Sequence, residues 1–161
     1  MFDPSKVRKE RTEWRDLELS KRHREWGFHC PAVDIDFLMV EYYYGKPVAI
    51  IDYKRFTGSK NNTHPKSYEA ISILADNSHI PFFVVYYYDN PWSFRLEPIN
   101  NIAKKIFEKN KKRLNKCLTE REYVEFLYWL RGHKLSQEEK RILEGLNNTL
   151  PKHCKGNRDV L

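Results

Sequence analysis

Three acids and one amine stand close together in a single stretch, PAVDIDFLMVEYYYGKPVAIIDYKRF, residues 31–56. Asp34 and Asp36 lie at the mouth of its first apolar run, and Asp52 and Lys54 close the second, VAII. Packing alone gives no reason for charges at those positions. Carboxylates gathered within a few Å repel one another unless a cation sits between them. Oxygen ligands of this kind suit a hard ion, Mg²⁺ or Mn²⁺, and the backbone carbonyl of Tyr53 is a further candidate ligand.

The element that must gather them reads as a β-hairpin. β-Branched and aromatic residues dominate two arms, residues 36–43 and 47–53, joined by a turn at Tyr44-Gly45-Lys46. Side chains alternate along a strand, so Asp34 and Asp36 share a face, as do Asp52 and Lys54. A three-residue loop pairs Tyr43 with Pro47, which sets Asp36 opposite Lys54 and Leu38 opposite Asp52. A two-residue loop would turn Asp36 to the other face, so an odd loop or a bulge is expected. Directly opposed residues have Cβ atoms about 4.5–5.5 Å apart, close enough for Asp36, Asp52 and Lys54 to converge.

An Asp ahead of one hairpin strand and Asp-x-Lys ending the next resembles the PD-(D/E)XK nuclease superfamily, with its restriction-endonuclease and Holliday-junction-resolvase fold. The tripeptide here is Asp52-Tyr53-Lys54, and the first acid is Asp36 or Asp34. The tripeptide alone says little, because Glu138-Glu139-Lys140 also fits it. The context carries the resemblance: an Asp-bearing strand, a tight turn, an apolar strand ending in the tripeptide, then a helix and another apolar strand. No proline immediately precedes Asp34 or Asp36, so the literal "PD" is absent and the choice between them stays open. The resemblance implies an α/β fold, an αβββαβ core whose mixed sheet is flanked by helices, with C-terminal helices appended. It also implies that Asp36 and Asp52 hold Mg²⁺ or Mn²⁺, with Asp34 as an outer helper. Lys54 would then assist the attacking water and neutralise the scissile phosphate. The implied substrate is DNA, with branched or flapped DNA included, and the products carry 5′-phosphate and 3′-hydroxyl ends. A homodimer is a common assembly in that superfamily.

Composition fits such a partner. The 161 residues favour one domain. Its expected parts are a nuclease core over 1–100, a helical extension packed on it over 101–150, and a tail over 151–161. Lys and Arg number 29 against 22 Asp and Glu, a net charge of +7 that suits a polyanion. Mean hydropathy of −0.76, and no apolar run near the ~20 residues of a membrane span, exclude insertion into a bilayer. The opening MFDPSKVRKERTE is too charged for a secretory signal. Cys30, Cys117 and Cys154 form no even framework, and a reducing, cytoplasmic setting is expected. His29-Cys30 and His153-Cys154 lack zinc-ligand spacing, so both read as packing.

The flanking elements follow from periodicity. Residues 5–26 read as a first helix with Val7, Trp14 and Leu17 on its buried stripe and Gly27 at its end. Glu10 lies near that stripe and reads as a surface acid. Arg22 and Arg24, in the cluster Lys21-Arg22-His23-Arg24, are candidate phosphate contacts, as are Arg55, Lys60 and Lys66 around a polar loop over 57–63. His64-Pro65 opens a second helix with an apolar stripe of Tyr68, Ile71, Leu74 and Ala75. PFFVVYYY, residues 81–88, has the unbroken apolar character of a central strand, and a shorter strand follows over 94–98. The tyrosine triplets 42–44 and 86–88 read as packing rather than base stacking. From Asn100 a helix carries Ile102, Ile106, Phe107 and Leu114 on one side. Its other face holds Lys104, Lys105, Lys109, Lys111, Lys112, Arg113 and Lys116, the densest basic surface of the chain and a candidate nucleic-acid contact. Thr119-x-x-Glu122 and Ser136-x-x-Glu139 are capping boxes that open two further helices, divided by Gly132.

Other functions fit parts of this pattern. One is a non-catalytic DNA-binding protein that uses its basic helices. In another, the C-terminal helix pair recognises DNA and the rest is scaffold. In a third, Asp52 and Lys54 form only a cross-strand ion pair.

Overall fold

PFFVVYYY supplies the middle strand of a five-stranded mixed sheet in the computed structural model of the chain, where strands follow the order β1-β2-β3-β4-β5. The strands are β1 Phe37–Glu41, β2 Lys46–Arg55, β3 Phe82–Asp89, β4 Trp92–Pro98 and β5 Leu118–Thr119. The helices are α1 Ser67–Asn77, α2 Asn101–Lys109, α3 Lys111–Leu114, α4 Glu120–Arg131, α5 Gln137–Gly145 and α6 Lys152–Lys155. The structure describes residues 18, 21–22, 25–26, 33–41, 44–56, 64–132 and 134–155. It divides into two units, Met1–Asp34 and Ile35–Leu161.

In the first unit Glu18, Lys21, Arg22 and Glu25 are helical, and the Trp26 N–H donates to the Arg22 carbonyl at 3.0 Å. This agrees with a helix that ends near Gly27. The remainder of the expected helix, with Glu10, the Val7, Trp14 and Leu17 stripe, and Arg24, lies outside the described residues.

In the second unit β2 and β3 run parallel, joined through α1, while β1–β2, β3–β4 and β4–β5 are antiparallel. Two strands precede the crossover helix among the described residues, one fewer than the αβββαβ order. Phe82, Phe83, Val84 and Val85 are all at most 1% exposed, because both sheet faces are covered. Phe82 and Val84 pack with Ile50, Tyr68, Ile71, Ala75 and Ile80 under α1. Phe83 and Val85 pack with Ala49, Ile51, Leu96, Ala103, Tyr123 and Phe126 under α2 and α4. Alternation along the strand produces this division, and burial on both faces removes the polar/apolar alternation from the sequence.

Both capping boxes form. The Thr119 hydroxyl accepts from the Glu122 N–H at 3.2 Å, and the Glu122 carboxylate accepts from the Thr119 N–H at 2.9 Å. Ser136 and Glu139 do the same for α5, and Gly132 closes α4 at φ 73°, where glycine has no Cβ to clash. The Thr119 hydroxyl also donates to Asn148 at 3.0 Å. Thr119→Ala is therefore expected to lower unfolding free energy by about 1–2 kcal/mol, read from the urea midpoint at constant slope. An unchanged midpoint would mean that the cap contributes nothing.

Four expectations are corrected. Leu74 is 49% exposed, since it sits off the stripe that Tyr68, Ile71 and Ala75 make at helical spacing. The basic helix from Asn100 breaks at Asn110, whose amide donates to the Ile106 carbonyl at 2.9 Å, a local bond that competes with helix continuation. Cys117 and Cys154 are joined as a disulfide, with 6.0 Å between Cα atoms; an odd cysteine count does not prevent one pair from meeting. The tail expected after Pro151 is thereby anchored: Lys152–Lys155 is helical and Cys154 is buried. No helix among the described residues is long and apolar enough to cross a membrane.

Candidate functional site

β1 and β2 pair Phe37 with Ile51, Leu38 with Ile50 and Met39 with Ala49, then slip so that Val40 meets Pro47. The expected irregularity is present, but it lies inside the hairpin at Met39/Val40. The expected register, with Asp36 opposite Lys54 and Leu38 opposite Asp52, is two residues out. Asp36, one place before Phe37, stands across from Asp52. An error of two preserves the alternation of faces, so Asp36, Asp52 and Lys54 still share one side of the sheet. Gly45 turns the chain at φ 58°, while Tyr42 and Tyr43 lie outside the described residues.

Asp52 is only 7% exposed. Its Oδ2 accepts from Lys54 Nζ at 3.0 Å and from the Tyr68 hydroxyl, which α1 lowers onto this face. Its Oδ1 is buried with no hydrogen-bond donor among the described residues. The Asp36 carboxyl lies within hydrogen-bonding reach of Asp52. Two acids in contact around an oxygen without a donor need a shared proton or a cation between them. Lys54, half exposed, also lies 5.9 Å from the centre of the Tyr68 ring.

These residues fit a hard divalent ion. Asp36 and Asp52 would hold it, and the Tyr53 carbonyl is suitably aimed. Ile50 and Phe56 donate their N–H groups to the carbonyls of Pro81, just ahead of β3, and Tyr87 within it, so ladder alternation turns the Tyr53 carbonyl away from β3. It faces the side where β1 pairing ends at Phe37. The Tyr53 side chain points to the other face, its hydroxyl 2.6 Å from that of Tyr123. No group of three or more His, Cys, Asp and Glu is poised to hold a metal among the described residues. Water and phosphate oxygens would complete the shell, as is usual for Mg²⁺.

Burial first, and then the Asp36 carboxyl, push the Asp52 carboxyl up to about 6 against an opposing pull from Lys54. An Asp in the unfolded chain titrates near 3.9. Between about pH 4 and 6 the folded chain thus binds more protons at Asp52 than the unfolded chain. This group's contribution to stability falls as pH rises through that window and is level outside it. In metal-free buffer, the stability of Asp52→Asn relative to the original chain is expected to improve from about pH 4 to 6 and then plateau. Urea titrations across that range check it; a pH-independent difference would contradict the elevated Asp52.

Four residues, Tyr68, Tyr86, His64 and Glu97, join this face that sequence patterns did not single out as functional. Asp52 pairs with Val84, and Val84 with Glu97, so Glu97 lies in the same row two strands away. Glu97 accepts from His64 Nε2 at 3.2 Å and is hydrogen-bonded to Tyr86. Burial, reinforced by Glu97 and Asp52, pushes the Tyr86 hydroxyl up to about 12. The one available signal was Tyr68: a tyrosine on a buried helical stripe has a hydroxyl that requires a partner.

The candidate phosphate contacts belong to different elements of the chain. Arg55 pairs with Asp89 at 2.7 Å, and Arg22, in the first unit, pairs with Glu25 at 3.8 Å. Lys66 is exposed at the start of α1. Arg24 and Lys60 lie outside the described residues, and Asp34 is exposed in the first unit. Lys104, Lys105 and Lys112 are exposed on α2 and α3, whose buried residues Ala103 and Leu114 pack against the sheet face opposite Asp52. The sheet therefore stands between the lysine helices and the acids. No family model, curated protein or solved structure matches the chain.

Proposed function

We propose that the chain is a divalent-metal-dependent nuclease that hydrolyses phosphodiester bonds in DNA, on a core of the restriction-endonuclease-like PD-(D/E)XK type. The observation that carries this reading is the meeting of the Asp36 and Asp52 carboxyls, with Lys54 Nζ 3.0 Å from Asp52. Asp36 and Asp52 would hold Mg²⁺ or Mn²⁺. The bound ion lowers the pKa of water and offsets negative charge on phosphate oxygens. Lys54 is pinned by Asp52 and half exposed, so it positions the attacking water and balances the phosphate charge. Tyr68 fixes Asp52 from the helix side.

A second reading is a DNA-binding protein without catalysis. It is favoured by Lys104, Lys105, Lys109 and Lys112, which have no ion-pair partner among the described residues and face away from the acids. Incubation of the purified protein with Mg²⁺ or Mn²⁺ and end-labelled linear, single-stranded, flapped and four-way-junction DNA separates the two. Metal-dependent cleavage with 5′-phosphate ends is the expected result. Salt-sensitive binding without cleavage of any substrate supports the second reading. Absence of binding at low salt leaves Asp52–Lys54 as an ordinary ion pair.

A further inference from the structure

The His64–Glu97 pair has no part in holding an ion, yet it shares the sheet face of the acids. The His64 side chain is about one-third exposed, so a substrate can reach it, and its Nε2 lies 3.2 Å from Glu97 Oε1. A carboxylate only accepts, so Nε2–H donates to Glu97, which leaves Nδ1 as the nitrogen able to carry and release a second proton. Glu97 is itself tethered by Tyr86, whose strand position adjoins Lys54. The imidazole lies 5.3 Å, ring centre to ring centre, from Tyr68, and the Tyr68 hydroxyl is bonded to Asp52. One tyrosine ring thus separates the imidazole from the carboxylates.

That spacing suits a phosphodiester lying across the face, with water approaching from the Asp36, Asp52 and Lys54 side. In hydrolysis the attacking and leaving oxygens lie roughly in line on opposite sides of phosphorus. We propose that His64 is the proton donor to the leaving 3′-oxygen, and that Glu97 is the positioning residue that holds its imidazole. This inference rests on the nuclease reading. The water oxygen bonds to phosphorus as the bond to the 3′-oxygen breaks. That oxygen keeps the bonding pair and takes the imidazole proton, and the proton released by the attacking water returns to the imidazole through solvent. Loss of such a donor lowers turnover by about 10²–10⁴-fold.

The experiment compares His64→Gln and Glu97→Gln with the original chain on two oligonucleotides, one with a normal scissile phosphodiester and one with a 3′-bridging sulfur there. Mn²⁺ is present in every arm. A thiolate leaves without protonation. Turnover of the oxygen substrate is expected to fall by about 10²-fold or more in His64→Gln, and less in Glu97→Gln. On the sulfur substrate both variants are expected to match the original chain, with unchanged DNA affinity. Equal losses on both substrates, or no loss on either, would overturn the role of His64 and leave the nuclease reading intact. An original chain that cleaves neither substrate would overturn both.

Discussion

Asp52→Asn is expected to lower DNA cleavage by about 10³-fold or more, leave DNA binding intact, and make the metal-free protein more stable. The cleavage loss follows from removing one of the two carboxylates that meet at the site. The stability gain comes from the burial of Asp52 first and from the same contact second. Asp52 is buried beside the Asp36 carboxyl, and both burial and that neighbour disfavour its charge and push its carboxyl up. An asparagine can still accept from Tyr68 and can donate its amide to Asp36, which converts a repulsion into a hydrogen bond. Against this stands the lost ion pair with Lys54. The net gain above pH 7 is expected to be about 1–2 kcal/mol, given about 1.4 kcal/mol per pKa unit. Mg²⁺ should raise the melting temperature of the original chain and not that of the variant. Lys54→Ala should reduce cleavage by about 10²-fold or more while Mg²⁺ still stabilises the fold. Cleavage retained by Asp52→Asn would falsify the proposed site, and a less stable variant would mean that the acids are not in opposition.

Asn100→Leu should cost about 3–5 kcal/mol of stability, a large part of the 5–15 kcal/mol typical of a domain. Asn100 is 2% exposed and uses its whole amide. Its Oδ1 accepts from the Phe82 N–H at 2.8 Å and the Ala103 N–H at 3.0 Å. Its Nδ2 donates to the Ile80 carbonyl and to Asp76 Oδ1, both at 2.9 Å. One side chain therefore caps α2, closes the start of β3 and ties both to the end of α1. Leucine would leave three backbone groups and a carboxylate oxygen without these bonds, around a side chain that is itself buried. Aspartate would keep the two acceptor contacts but set a charge against Asp76, so it should also destabilise strongly. Urea denaturation measures both; a loss below about 1 kcal/mol for leucine would mean that solvent replaces the bonds.

Local features were legible because neighbours in the chain determine them. The turn at Gly45, both capping boxes, the left-handed close at Gly132 and the apolar β3 run each depend on residues within a few positions of one another. Asn100, read only as a helix start, has partners that no local pattern marks. Its cap to Ala103 is local, but its bonds to Phe82, Ile80 and Asp76 span 18 to 24 residues. Nor did the break at Asn110 stand out, since a single side-chain bond decided it.

The site divides the same way. Alternation along β2 placed Asp52 and Lys54 on one face whatever the rest of the chain did, but Asp36 joined them only because β1 slips by one residue against β2 after an even loop. Which residue met which was a matter of where the hairpin slipped, at Met39/Val40, and no local pattern marks that step. Delivery of Tyr68, His64 and Glu97 to the Asp52 face required α1 to cross over that side and β4 to pair with β3. The lysine helices went to the opposite face because their apolar stripe joined the Phe83 and Val85 side of the core. Charge and spacing in the chain thus determined which groups were on offer, through contacts that form within a few residues. Their neighbours were decided by long-range strand pairing and by which sheet face each helix could cover.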